Sequence, residues 1–234
     1  MSTDKFMFND REVTVIKPEN EATGGNWVWR AEFLGAFDYA DKALLEKGWY
    51  IVYYKVSDMY GCPYAIELMK KFHNFIVEKY KLNPKAAIFG FSRGGLYSVN
   101  YSLKHPQDIG VIYLDAPVLD IKSWPGGLMT GTGGEKEWEE CKECYELTEE
   151  TVSDFKRSPV DRLDELLETR IPLILVAGDS DTVVPYKENG KILEEKYKNS
   201  SVPFEVYIKP GCEHHPHSLE NPAPIVSFIE KNMK

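Results

Sequence analysis

The sequence predicts an α/β protein with a mostly parallel central sheet of about seven strands and helices on both faces. Three observations carry that prediction. Short apolar runs alternate along the chain with stretches of helical period. Most of those runs are continuously apolar, as strands buried on both faces are. Between one run and a helical pattern lies Gly90-Phe91-Ser92-Arg93-Gly94, a Gly-x-Ser-x-Gly sequence in a strand–turn–helix setting.

The elements follow in order. Glu12 to Ile16 alternates and stops at Pro18, so it reads as a first strand. A polar turn with Gly24-Gly25 leads to the apolar run Trp27 to Phe33, then to a helix from Tyr39 to Lys47 closed by Gly48. Trp49 to Tyr54 reads as a buried strand, and Tyr64 to Tyr80 has a helical period through Ile66, Met69, Phe72 and Ile76. The Ala87–Phe91 strand, Ser92, and a helix running to His105-Pro106 come next. Val111 to Asp115 is a further strand. From about Leu119 to Asp161 the pattern changes to glycine-rich loop material and two acidic helical segments, read as an inserted cap with a hinge at Gly126–Gly134. Strand Pro172–Ala177, helix Lys187–Asn199, strand Phe204–Ile208 and helix Ile225–Asn232 complete the chain.

At 234 residues the chain reads as one domain, 1–234, long enough to bury a substantial core. Its 28 Lys+Arg against 37 Asp+Glu give a net charge of −9. Nucleic acid and anionic membrane are disfavoured as partners, since both need a basic footprint. Met1 to Asp10 has no apolar signal core, and no run is long enough to cross a bilayer. Cys62, Cys141, Cys144 and Cys212 are too few for a disulfide scaffold, so a reducing, cytoplasmic compartment is expected.

The candidate chemistry starts at Ser92. A serine on so sharp a turn holds its hydroxyl clear of the backbone, and Gly90 and Gly94 let strand and helix approach closely. The N–H of Arg93, opening the helix, points toward where an oxyanion would form. Such a serine needs a base, and the base an orienting acid, from loops after later strands in the order Ser, Asp, His. Two loops fit: Gly178-Asp179-Ser180-Asp181-Thr182-Val183-Val184-Pro185, and Gly211-Cys212-Glu213-His214-His215-Pro216-His217-Ser218.

With these three loops the chain resembles the α/β-hydrolase family across almost its whole length. The resemblance implies that fold and a serine hydrolase with Ser92 as nucleophile, Asp181 as acid and His214 as base. No cofactor and no metal are implied, and the expected partner is a small-molecule ester. Asp115, ending another strand, is the rival acid, and His215 the rival base. The family's His-Gly pair after the oxyanion strand is missing. The matching turn is Trp29-Arg30-Ala31-Glu32-Phe33, and the second oxyanion donor lies within it. Seven strands also imply loss of the N-terminal hairpin of fuller members. More narrowly, Trp-Val-Trp-Arg-Ala, Ser-Arg-Gly-Gly-Leu, Asp-Ala-Pro, Ser-Trp-Pro-Gly-Gly and His-His-Pro-His-Ser-Leu resemble a group of small bacterial hydrolases, some found among carbohydrate-degrading proteins. A carboxylic ester, including an acylated carbohydrate, is the implied substrate. A peptidase or thioesterase on the same fold is the alternative within enzymes, and a non-catalytic binding protein the alternative outside them.

Further residues invite a role. Arg30 and Arg93 flank the oxyanion turn and would suit an acidic substrate group, or pair with local carboxylates. Ala31 is a candidate second donor, and Trp124 a candidate pocket wall. The histidines of the last loop lack the helical i, i+4 spacing or second paired motif that zinc sites show, so no metal is assigned. Cys141-x-x-Cys144 sits among acidic residues without a redox context and reads as a solvated helix face.

Overall fold

Alternation along the central strands divides the core in two. In the computed structural model, which describes residues 1–233, β5 (Ala86–Phe91) sends Ala86 and Ile88 into one apolar cluster and Ala87, Phe89 and Phe91 into the other. β6 (Ile109–Asp115) and β7 (Leu173–Gly178) divide in the same way: Ile112, Leu114, Leu173 and Leu175 face one side, Val111, Tyr113, Ile174 and Val176 the other. Successive side chains in a strand point to opposite faces, so a continuously apolar run requires cover on both.

Helices supply that cover. α1 (Tyr39–Glu46) and α7 (Ala223–Asn232) seal one face through Leu44, Ile225, Phe228 and Ile229. On the other lie α2 (Pro63–Tyr80), α3 (Gly94–Lys104), α4 (Glu135–Tyr145), α5 (Leu163–Glu168) and α6 (Gly190–Lys198). Together with β1 (Ser2–Phe8), β2 (Arg11–Lys17), β3 (Trp27–Arg30), β4 (Tyr50–Tyr54) and β8 (Phe204–Lys209), the strands form one sheet of order β1-β2-β4-β3-β5-β6-β7-β8. β1–β2 and β2–β4 pair antiparallel; every other neighbouring pair is parallel. The parallel strands therefore all present their carboxyl ends at one edge. Ser92 and the loops after β6, β7 and β8 meet there.

The expectation of about seven strands without an N-terminal hairpin is corrected by β1. Its alternation is weak because one face is solvent, and only Phe6 and Phe8 reach the core. Asn9 and Asp10, at φ 47° and 59°, make the two-residue turn to β2. That Asn-Asp pair between Phe8 and Val13 was the available signal.

The segment between β6 and α5 carries one α-helix, α4, followed by short 3₁₀ turns at Val152–Asp154 and Pro159–Arg162. Of the two acidic helical segments expected there, only α4 falls within 119–161. The Val160 N–H donates to Leu119 O at 3.0 Å, so the excursion leaves and rejoins the body at one point. Trp138, Cys141 and Tyr145 of α4 are buried in the same core as α2 and α3, and Tyr145 OH donates to Tyr60 O at 2.9 Å. The glycine-rich stretch is tied at both ends: Gly134 N–H donates to Pro125 O at 2.9 Å and Thr132 N–H to Thr182 O at 3.2 Å. No helix among the described residues is long and apolar enough to cross a membrane.

Gly90 is where β5 and α3 come closest. A Cβ there would lie 2.6 Å from Ser98 Oγ, 2.8 Å from Gly94 O and 2.9 Å from Leu114 Cδ2. Because Gly94 O is backbone, α3 itself would have to move. Gly90→Ala is expected to lower the unfolding free energy by about 1–3 kcal/mol, the usual cost of overpacking, read from the urea midpoint.

Candidate active site

Ser92 is held in a conformation that few side chains adopt, at φ 48°. Left-handed backbone of this kind costs about 1–3 kcal/mol and persists only where surrounding bonds over-determine it. Here they do. Ser92 N–H donates to Asp115 O at 3.0 Å, and Ser92 O accepts from Gly95 N–H and Val118 N–H, each at 2.9 Å. The hydroxyl is thereby lifted off the sheet edge at the start of α3.

His214 Nε2 lies 2.9 Å from Ser92 Oγ, and His214 Nδ1 lies 2.7 Å from Asp181 Oδ2. The other oxygen of Asp181 accepts the N–H groups of Val183 and Val184 at 2.9 and 2.8 Å, which fixes the carboxylate's direction. Asp181 and His214 are buried. Gly178, ending β7, lets the histidine loop pass: a Cβ there would stand 2.1 Å from Cys212 O. Asp179 has a separate task, accepting Gly211 N–H at 2.7 Å and so fixing the turn after β8. The three residues chosen from sequence thus come together as one hydrogen-bonded chain, able to pass a proton from the hydroxyl to the imidazole.

Asp115 does not reach His214. Its carboxylate is fully buried, where a lone charge would cost several kcal/mol. It is satisfied by His217 Nδ1 at 2.8 Å, and by Tyr113 OH and Ser218 N–H at 2.7 Å each. His215 is exposed, its ring stacked on Phe37 with centroids 5.7 Å apart. Neither side chain hydrogen-bonds Ser92; Asp115 meets it through its main-chain oxygen. Sequence reasoning left the Asp115–His217 pair unseen, because 102 residues separate its members.

Two further expectations, Arg30 and Ala31, are corrected. Arg30 is fully buried, so it cannot meet a substrate. Its Nη2 donates to Phe33 O at 2.8 Å and Ala36 O at 2.7 Å, its Nε stands 3.5 Å from Asp41, and its guanidinium lies 4.0 Å over the Phe91 ring. It braces the turn after β3, where other members place His-Gly. Ala31 N–H donates to Phe89 O at 3.0 Å as part of the sheet edge and is not available to an oxyanion. Trp124, expected as a pocket wall, is half-buried and packs on the core with its ring 6.2 Å from that of Tyr60. Arg93, partly exposed, donates through Nε to Glu32 Oε2 at 3.1 Å and stands 3.4 Å from Asp58.

Glu32 follows Ala31 and lies beside the first turn of α3: a Cβ on Gly94 would be 3.7 Å from Glu32 N. Its carboxylate is buried and accepts Ser57 Oγ–H at 2.9 Å besides Arg93. Burial pushes its pKa up, partly offset by Arg93 and Ser57.

The model of the prolyl oligopeptidase family matches residues 64–234, which include Ser92, Asp181 and His214. The chain belongs to the prolyl oligopeptidase family. No curated protein sequence matches it. Among solved structures, it is similar to a Mycobacterium tuberculosis puromycin-hydrolyzing peptidase at 15% identity and TM-score 0.71, over 95% of this chain and 37% of that one. A puromycin hydrolase matches at 17% identity and TM-score 0.72, over 99% and 38%. Est1E from Butyrivibrio proteoclasticus matches at 15% and 0.69, over 99% of both chains. The chain thus spans little more than a third of the first two and nearly all of the third. At these identities the likeness establishes the fold, the α/β-hydrolase fold.

Glu32 yields a pH test. A carboxyl whose folded pKa is raised binds its proton more tightly in the native state, so stability falls as pH rises through that range. Removing the carboxyl removes this loss. Glu32→Gln is expected to be better tolerated at pH 7 than at pH 4, compared by urea unfolding of both proteins at each pH.

Proposed function

We propose that this protein is a serine hydrolase that cleaves carboxylic esters through Ser92, His214 and Asp181, with acylated carbohydrates the first substrate class to screen. The observation that carries the reading is the unbroken relay from Ser92 Oγ to His214 Nε2 at 2.9 Å and from His214 Nδ1 to Asp181 at 2.7 Å. It starts from a serine held on the strained turn of a nucleophile elbow. Ser92 Oγ attacks the acyl carbon while His214 Nε2 takes its proton. His214 then returns a proton to the leaving alcohol, and Asp181 holds the imidazole tautomer and steadies its positive charge. Water cleaves the acyl-enzyme by the same steps. The oxyanion is received by the N–H groups of Arg93 and Glu32, which flank the start of α3, a donor set whose single members are worth about 100- to 1000-fold in rate.

Full-length similarity to Est1E supports ester chemistry. Membership of the prolyl oligopeptidase family supports a second reading, cleavage of a small peptide or amide. The two separate on a panel of acetyl and feruloyl sugar esters, p-nitrophenyl acetate and aminoacyl p-nitroanilides, compared by kcat/KM; the ester reading expects the esters to lead.

The triad is tested with a fluorophosphonate probe and peptide mapping. One equivalent is expected on Ser92, none on Ser92→Ala, and ester turnover is expected to fall at least about 10⁴-fold in both Ser92→Ala and His214→Ala. Unchanged turnover in the two variants refutes the assignment.

A further inference from the structure

The last loop holds more imidazole than the relay uses. One ring nitrogen from each of His214, His215 and His217 lies within 4.8 Å of the other two. The rings meet edge to face, with centroids 4.9 Å apart for His214 and His217, 4.9 Å for His214 and His215, and 4.7 Å for His215 and His217. Two of the three carry a carboxylate on Nδ1: Asp181 behind His214 at 2.7 Å and Asp115 behind His217 at 2.8 Å. Both pairs are buried. A carboxylate behind the ring is one of the arrangements that metal-ligating histidines use, because it fixes the ring and makes the other nitrogen more basic.

We propose that His214, His215 and His217 form a site for a divalent transition-metal ion such as zinc, and that the ion switches the hydrolase off. Imidazole nitrogen suits zinc, copper and nickel. Zinc–nitrogen bonds of about 2.0–2.1 Å in tetrahedral geometry set ligand nitrogens about 3.4 Å apart, so the rings must close in. His215 can move, since it is exposed and its ring is held by contacts with the rings of Phe37, His214 and His217 and by no hydrogen bond among the described residues. His214 and His217 present Nε2, because Nδ1 is committed on both. The helical spacing rule that argues against a metal in the sequence does not apply, since a turn rather than a helix folds these rings together. Inhibition rests on the proposed role of His214: an Nε2 lone pair bound to an ion cannot accept the Ser92 proton, and the 2.9 Å bond to Ser92 Oγ is lost.

The test uses the full chain, stripped with a chelator and titrated with zinc chloride by calorimetry, with cobalt as a spectroscopic substitute. One equivalent should bind, without the sulfur-to-cobalt charge-transfer band that any of the free thiols of Cys62, Cys141, Cys144 or Cys212 would give. His215→Ala and His217→Asn should each weaken binding about 10- to 100-fold, and Asp115→Asn by a similar factor, as loss of a carboxylate partner does elsewhere. His215→Ala is decisive if His217→Asn does not fold, because that ring is exposed. Zinc should also inhibit ester turnover, with the half-inhibiting concentration at least about tenfold higher in His215→Ala. Absent saturable binding, affinity unchanged in His215→Ala, or a sulfur band overturns the site. Binding without inhibition overturns the switch. Should the protein turn over no ester, the hydrolase reading fails while the calorimetry still decides the site.

Discussion

Asp115 joins the two halves of the candidate site. Its main-chain oxygen accepts the Ser92 N–H, and its carboxylate holds His217 and the Ser218 N–H. The turn after β5 and the loop after β8 are thus fastened to one residue at the end of β6, the strand between β5 and β7. A fully buried carboxylate is tolerable only with both oxygens hydrogen-bonded, and here Oδ1 meets His217 while Oδ2 accepts Tyr113 OH and Ser218 N–H. That demand makes the geometry rigid: the histidine loop cannot drift from the serine without orphaning a buried charge.

Arg30 plays the matching part on the other flank. A guanidinium at the end of β3, closed in by Phe91, Phe33 O, Ala36 O and Asp41, shapes the turn beside the first turn of α3. Burial works against the charge on Asp41, and Arg30 is the nearest charge opposing that effect. A substrate clamp and a structural brace both call for an arginine at this position. Complete burial decides for the brace.

Much of this was legible beforehand because the relevant signals are local. Continuous apolar runs and period-3.6 patterns gave the six parallel strands and the main helices, and Gly90-Phe91-Ser92-Arg93-Gly94 carried its own turn chemistry. Asp181 was separable from Asp179 by its place before Val183-Val184-Pro185, whose first two N–H groups it accepts. β1 was missed because a half-solvated edge strand has few apolar positions. Ala31 was misjudged because nothing in a sequence says which N–H the sheet has already claimed.

The sequence by itself determined the fold class, the strand-edge placement of Ser92, and which aspartate and histidine loops would flank it. These follow from residue types whose backbone preferences and burial act over a few positions. Tertiary structure decided the pairings: Asp181 with His214, Asp115 with His217, Glu32 with Arg93, and the gathering of three imidazoles on one loop. Such pairings depend on ångström-scale distances between segments up to 102 residues apart. Only the closed sheet, with its parallel strand ends brought to one edge, fixes those distances.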